Sequence, residues 1–139
     1  MYFETQRLTV RPFLCGDKEK MLEMLYDESI KKTYMIPDFE SVEAAEKLFS
    51  AFMRLSQDES RYVGAICLND ELVGFMNDTE IEGGTVEMGY VISPNYQNQG
   101  FCTEAMGGAI EYLFGKDYCG IYTSYQVCGG NAKQYRRQK

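Results

Sequence analysis

The chain has 139 residues, 45% of them hydrophobic and 25% charged, which is ordinary globular composition and a length that suits one domain, residues 1–139. Its apolar runs are short, and Met1-Tyr2-Phe3-Glu4 lacks the basic, apolar, small-residue progression of a signal peptide. The expectation is therefore a cytoplasmic protein with no membrane span. The net charge is -7, and because Lys133, Arg136, Arg137 and Lys139 crowd the tail, the remainder carries ten basic against twenty-one acidic groups. Such a body repels nucleic acid and attracts cationic substrates such as amines.

In chain order, a first strand is expected from Arg7 to Phe13, a helix from about Asp17 to Tyr26 and a second from about Ser41 to Ser56. In the second, Ala45, Leu48, Phe49 and Phe52 form an apolar stripe facing the core, with Ser41 as N-cap. Tyr62 to Leu68 and Leu72 to Asp78 read as a hairpin around Asn69-Asp70, and Glu82-Gly83-Gly84 turns into a strand from Thr85 to Ile92. That strand alternates Val86, Met88, Tyr90 and Ile92 with Thr85, Glu87, Gly89 and Val91. Ser93-Pro94 stops it. Met106, Ala109, Ile110 and Leu113 then recur at helical spacing, and Gly120 to Val127 is strand-like again.

The junction from Asn95 to Ala105 suits an anion. Gly100 lets the backbone approach a ligand closely, and the first-turn amides near Phe101 to Glu104 point unpaired out of a helix N-terminus. Two rival phosphate motifs fail, since neither a Gly-Lys-Ser/Thr P-loop nor a Gly-x-Gly-x-x-Gly dinucleotide loop is present. The five cysteines, Cys15, Cys67, Cys102, Cys119 and Cys128, include no Cys-x-x-Cys unit, and the chain has no histidine. No metal site and no disulfide framework is expected, and the cysteines read as small core residues in a reducing compartment. Cys102 has a second reading as a thiol made reactive by the helix dipole.

Gln97-Asn98-Gln99-Gly100-Phe101-Cys102 resembles motif A of the Gcn5-related N-acetyltransferases (the GNAT superfamily), Gln/Arg-x-x-Gly-x-Gly/Ala, with Cys102 at the small-residue position. Glu87-Met88-Gly89-Tyr90 is similar to the family's fourth strand, and Thr103-Glu104-Ala105 to its usual helix start. Phe3-Glu4-Thr5-Gln6-Arg7-Leu8-Thr9-Val10-Arg11-Pro12-Phe13 resembles the first strand of the branch that contains the ribosomal-protein N-terminal acetyltransferases. The resemblance implies an α/β (α+β) fold, a mixed and mostly antiparallel sheet with flanking helices, whose fourth and fifth strands splay to admit the pantetheine arm of acetyl-CoA. It implies that backbone groups of Val91 and Ile92 align the pantetheine and acetyl carbonyl. Gln97, Asn98, Gln99, Gly100, Phe101, Cys102 and Thr103 would bind the cofactor, the stretch from Asn98 seating its pyrophosphate, and Asn131 would join them at the start of the family's last helix.

The family's following Leu-Gly-Phe and final two strands have no counterpart before Lys139. The sheet is thus expected to lack its last two strands, by natural truncation, incompleteness or borrowing from a partner. An open fifth-strand edge makes a homodimer a reasonable expectation.

The reaction so implied is direct attack of a primary amine on the acetyl-CoA thioester, the amine belonging to a protein N-terminus, a polyamine or a small molecule. Glu87 is the expected proton acceptor, because it lies on the strand face opposite the apolar set and matches a position where some family members carry an acidic base. Seven residues past Asn131, where the family has a tyrosine acid, stands Gln138, with Tyr135 earlier, and Gln134 replaces a serine frequent in the N-terminal branch. Two other readings stay open: a CoA-binding regulatory or structural module without turnover, and an unrelated α/β phosphate-binding protein.

Overall fold

The computed structural model describes residues 1–34, 38–116, 118, 120–123 and 133–136. Its strands and α-helices run β1 Phe3–Glu4, β2 Thr9–Arg11, α1 Lys18–Tyr26, α2 Glu28–Tyr34, α3 Val42–Ser56, β3 Gly64–Leu68, β4 Glu71–Glu82, β5 Thr85–Ile92, α4 Phe101–Phe114, β6 Gly120–Thr123 and β7 Lys133–Arg136. The strands form one sheet in sequential order, antiparallel throughout except for the parallel pair β5 and β6. Parallel neighbours need a crossover, and α4 is that crossover. This is the mixed, mostly antiparallel sheet with flanking helices that the sequence implies.

Local chemistry explains the turns. Asn69 and Asp70 take φ values of +49° and +65°, and Gly83 and Gly84 take +58° and +77°. Two-residue loops with positive φ at both positions match strand twist, and these residue types tolerate that region. Ser41 caps α3 as expected, its Oγ accepting from the Ala44 amide at 3.2 Å. The helix α2 was not anticipated. It is only seven residues long, too short to show a period, and Asp27 starts it by accepting from the amides of Ser29 and Ile30 at 2.9 and 3.1 Å.

The sheet is covered on both faces. On one, Phe101, Ala105, Met106, Ala109 and Leu113 of α4 pack against Val10, Ile66, Met76, Val86, Met88 and Ile92. On the other, Met21, Met24 and Leu25 of α1 and Phe49 of α3 cover Ala65, Cys67, Phe75 and Val91, with Leu48 and Phe52 at the margin. Of the expected α3 stripe, Ala45 and Phe49 are fully buried. Buried polar groups are paired: Asp17 takes both Arg11 Nη atoms at 2.8 and 3.0 Å, and Asp78 accepts from Arg61 Nε at 2.7 Å and the Tyr62 amide at 3.2 Å.

Three expectations need correction. The first strand is shorter than Arg7 to Phe13, because a turn with the Thr5 amide on the Leu8 carbonyl at 2.9 Å folds Phe3–Glu4 back onto Thr9–Arg11. Pro12, without an N–H, ends it, and the Phe13 amide goes instead to Ser56 Oγ at 3.0 Å. Secondly, Lys133–Arg136 is a strand antiparallel to β6 and not part of a terminal helix; its pairing satisfies the backbone groups that the two segments turn towards each other. The sheet therefore does gain a strand after the fifth expected one, and the edge on which a dimer was argued is occupied by this chain's own β7. Thirdly, β4 continues past Asp78 to Glu82, through a bulge near Asp78 and Glu80. Asn131, Gln138, Cys119 and Cys128, and with residues 124–127 of the expected strand any splay there, lie outside the described residues.

Gly74 sits opposite Ile92, and a Cβ there would run into the Val91 carbonyl oxygen and lie 2.9 Å from Ile92 Cδ1. Backbone cannot step aside as a side chain can. Gly74→Ala should lower stability by about 2 to 3 kcal/mol, read as a lower urea midpoint with an unchanged slope.

Candidate functional site

At the end of β5 the chain leaves the sheet and re-enters as α4. The Ser93 amide still holds the Val73 carbonyl at 2.8 Å, after which Pro94–Tyr96 makes a single 3₁₀ turn. Gln97 reaches back, its Nε2 donating to the Ile92 carbonyl at 2.9 Å, and Gln99 Nε2 donates to the Asn95 carbonyl at 3.2 Å. Gln97 thus ties the loop to the strand it came from, and Gln99 ties the loop to itself. Asn98 at φ +60° and Gly100 at φ +81° reverse its path, and the first α-helical bond runs from the Glu104 amide to the Gly100 carbonyl at 3.0 Å. Gly100 is the N-cap and has no side chain with which to cap the helix.

A pocket of about 140 Å³ opens here, lined by Ile92, Tyr96, Gln97, Asn98, Gly100, Phe101, Cys102 and Thr103. Seven of the ten sequence-predicted cofactor residues thus share one cavity. Gln99 is spent within the loop, and Val91 turns its side chain into the core on the α1 and α3 face, which leaves only its backbone for a ligand. Drug-sized ligands occupy pockets of about 300 Å³ or more. This one suits a single anionic group, and the features that shape it are uncapped amides, the positive end of a helix dipole and a glycine with no side chain.

Sequence reasoning missed the cluster behind the loop. In the β1–β2 turn, Thr5 Oγ1 donates to Glu104 Oε2 at 2.7 Å and the Arg7 amide donates to the same oxygen at 3.1 Å. Arg7 Nε meets Glu104 Oε1 at 2.9 Å, Nη1 donates to the Gln99 carbonyl at 3.1 Å, and the guanidinium lies 4.3 Å from the centroid of the Phe101 ring. Burial alone would raise the Glu104 carboxyl, but the bonds from Thr5 and Arg7 outweigh it and hold the group below its ordinary value. The partners are 97 and 99 positions apart in sequence, so no local period could announce them.

Glu87 lies elsewhere. It is half-buried on β5, cross-strand from Glu80 on β4 and in register with Tyr122 on β6, and Thr79 Oγ1 donates to its backbone carbonyl at 3.4 Å. It does not line the pocket. Along an extended strand at about 3.3 Å per residue it stands about 13 Å before Val91. Among the cysteines, Cys67 is buried and burial pushes its thiol up to about 11, Cys102 is half-buried at the pocket, and Cys15 is exposed and so not the core residue expected. Among the described residues no group of three or more His, Cys, Asp or Glu could hold a metal ion, and no helix is long and apolar enough to cross a membrane.

The family model described as Acetyltransferase (GNAT) domain matches residues 7–126. An uncharacterized N-acetyltransferase of Bacillus subtilis, YnaD, is 32% identical over 117 residues, which are 82% of this chain and 66% of that protein. The chain thus spans just under two-thirds of the length of that relative. RimL, a ribosomal L7/L12 alpha-N-protein acetyltransferase, superposes with a TM-score of 0.73 at 16% identity, over 88% of this chain and 70% of RimL. The spermidine N-acetyltransferase of Vibrio cholerae, solved with CoA and spermine, superposes at 0.70 with 21% identity, over 84% of this chain and 70% of that one.

A carboxyl held below its ordinary value of 4.5 contributes stability that is complete above that value and is lost as pH falls through the lowered one. Glu104→Gln should therefore be less stable than the parent at pH 7, by about 1 to 2 kcal/mol. In urea titrations the gap should close as the pH drops below the ordinary glutamate range.

Proposed function

The chain belongs to the GNAT acetyltransferase family, and on that premise we propose that it is an acetyl-CoA-dependent N-acetyltransferase acting on a primary amine. The observation that carries the reading is the pocket at the start of α4, where uncapped helix amides meet residues that sequence reasoning had assigned to the cofactor. Acetyl-CoA is a substrate in this reading, and the pocket would receive its pyrophosphate. The rest of the molecule would extend along β5 towards the parallel neighbour β6.

The net charge of -7 works against capture of an anionic cofactor at long range, so short-range amide contacts have to supply the binding. The same charge favours a cationic amine. A protein N-terminus, a polyamine and a small-molecule amine all fit that sign. The RimL and spermidine-acetyltransferase superpositions support the first two as the substrates to try.

In the chemical step the amine nitrogen attacks the thioester carbonyl, the C–S bond breaks with its electron pair leaving on sulfur as the CoA thiolate, and the amine's surplus proton must be removed while the thiolate takes up a proton from solvent. Holding the partners in attack geometry could supply about 7 kcal/mol of the barrier reduction. Glu87 shares a strand face with Val91, but the spacing of about 13 Å along the strand means that it would take the proton through intervening water.

Thr103 is exposed, lines the pocket and sits in the first turn of α4, where a carboxylate favours the helix by about 0.3 to 1 kcal/mol. Thr103→Glu should therefore keep or raise thermal stability while weakening acetyl-CoA binding at least about tenfold, or 1.4 kcal/mol, in calorimetric titration. Unchanged affinity in the folded variant would remove the pocket from cofactor binding.

The mechanism is tested by Glu87→Gln, which preserves size and removes the acceptor. With spermidine and an N-terminal peptide as amines, kcat should fall about 10²-fold at neutral pH with acetyl-CoA affinity unchanged, and should partly recover as rising pH neutralises the amine. Parent-like turnover across the pH range would leave proximity and solvent as the whole account. Acetyl-CoA binding without turnover of any amine by the parent would favour a CoA-binding module.

A further inference from the structure

We infer that Arg7 is a positioning residue of the cofactor seat, acting through the loop and helix start it grips and not by touching the ligand. This inference rests on the reading of the pocket as the acetyl-CoA pyrophosphate site. Arg7 lies in the turn between β1 and β2, remote in sequence from the loop, and it does not line the pocket. Yet its donors are committed there: Nε to Glu104 at 2.9 Å, the backbone amide to the other Glu104 oxygen at 3.1 Å, and Nη1 to the Gln99 carbonyl at 3.1 Å. Its plane covers Phe101 at 4.3 Å, and a Cβ on Gly100 would lie 3.3 Å from Nη2. One guanidinium therefore touches residues 99, 101 and 104 and flanks Gly100, the peptide run in which the chain reverses at φ +81° and the helix begins.

The contacts have two effects on an anion seat. The bond to Gln99 and the stack on Phe101 fix the last loop peptide against the first helical residue, so the amides converge before a ligand arrives. Such preorganisation strengthens binding without adding a contact. The ion pair also neutralises Glu104. A bare carboxylate in the first turn would compete with the ligand for the positive end of the helix; paired to Arg7 and Thr5, it does not. Lysine could keep the ion pair, but its single ammonium cannot also hold the Gln99 carbonyl and stack on the ring.

The test compares the parent with Arg7→Ala and Arg7→Lys. Calorimetry would measure CoA, and kinetics would use acetyl-CoA and S-acetylpantetheine, which lacks the phosphates. The expected result is that both variants bind CoA about tenfold or more weakly and show a matching rise in KM for acetyl-CoA. Their kcat and their kcat/KM with S-acetylpantetheine should stay at the parent's values. If Arg7→Ala does not fold, Arg7→Lys, which keeps the charge and the pair with Glu104, carries the comparison. Full recovery of CoA affinity in Arg7→Lys would reduce Arg7 to a point charge and overturn the inference, as would parent-like affinity in Arg7→Ala. Equal losses with the phosphate-free substrate would overturn it too, by showing a general disturbance of the fold. Failure of the parent itself to bind CoA would instead sink the cofactor reading beneath it.

Discussion

Gly100 joins a loop to a helix in the left-handed region, at φ +81°, and the geometry of the site follows from α4 starting at that residue. The start point is enforced from below, because α4 buries Phe101, Ala105, Met106, Ala109 and Leu113 on the sheet. Shifting the helix by one residue would rotate that stripe by about 100° and bring polar side chains into the core. It is enforced from the side as well: a Cβ on Gly108 would run into Phe3 and come within 2.9 Å of Thr5 Cγ2, so β1 fits against α4 only because glycine is there. With helix and sheet locked together, the loop between them has few conformations left. The first residues of α4 then line the pocket as a result of packing elsewhere.

Electrostatics supplies the second constraint. An acidic chain that took up a polyanionic cofactor would work against its own long-range field. At short range, fixed backbone amides in a small pocket are screened little by salt and need no reorganisation to bind, so they can prevail locally. Glu104, the acidic residue in the first turn of α4, is already claimed by Thr5 and Arg7. On the proposed reading the acidic surface would favour cationic amines, so that one distribution of charge would serve both substrates.

The parts of the molecule written in local patterns were legible. The hairpin at Asn69-Asp70, the Ser41 cap, the extent of β5 and the strand-loop-helix junction all follow from side-chain conformational preference or from a repeat of two or 3.6 residues. Much of the candidate site was legible for the same reason. Ile92 and Gln97 to Thr103 are nearly contiguous, so recognising the junction located the pocket. Less legible was α2, only seven residues long and marked by little beyond its Asp27 cap.

Where the reading departed from the structure, partners distant in sequence made the difference. Lys133–Arg136 could have extended a basic helical face by local pattern; pairing with β6 decides that it is a strand, since the backbone groups facing β6 find partners there. Arg7 looked like the opening of a strand and Glu104 like an ordinary first-turn acid, and only the fold brings them within 2.9 Å. Glu87 was chosen by alternation and by its match to a position where some family members carry an acidic base, and the fold adds its neighbours in register, Glu80 on β4 and Tyr122 on β6. By itself, then, the sequence determined which segments turn, cap, alternate and wind, because those depend on neighbours within a few residues. Tertiary structure decided which strand ends the sheet and which arginine grips the loop before α4, because both depend on contacts between residues that the chain alone leaves far apart.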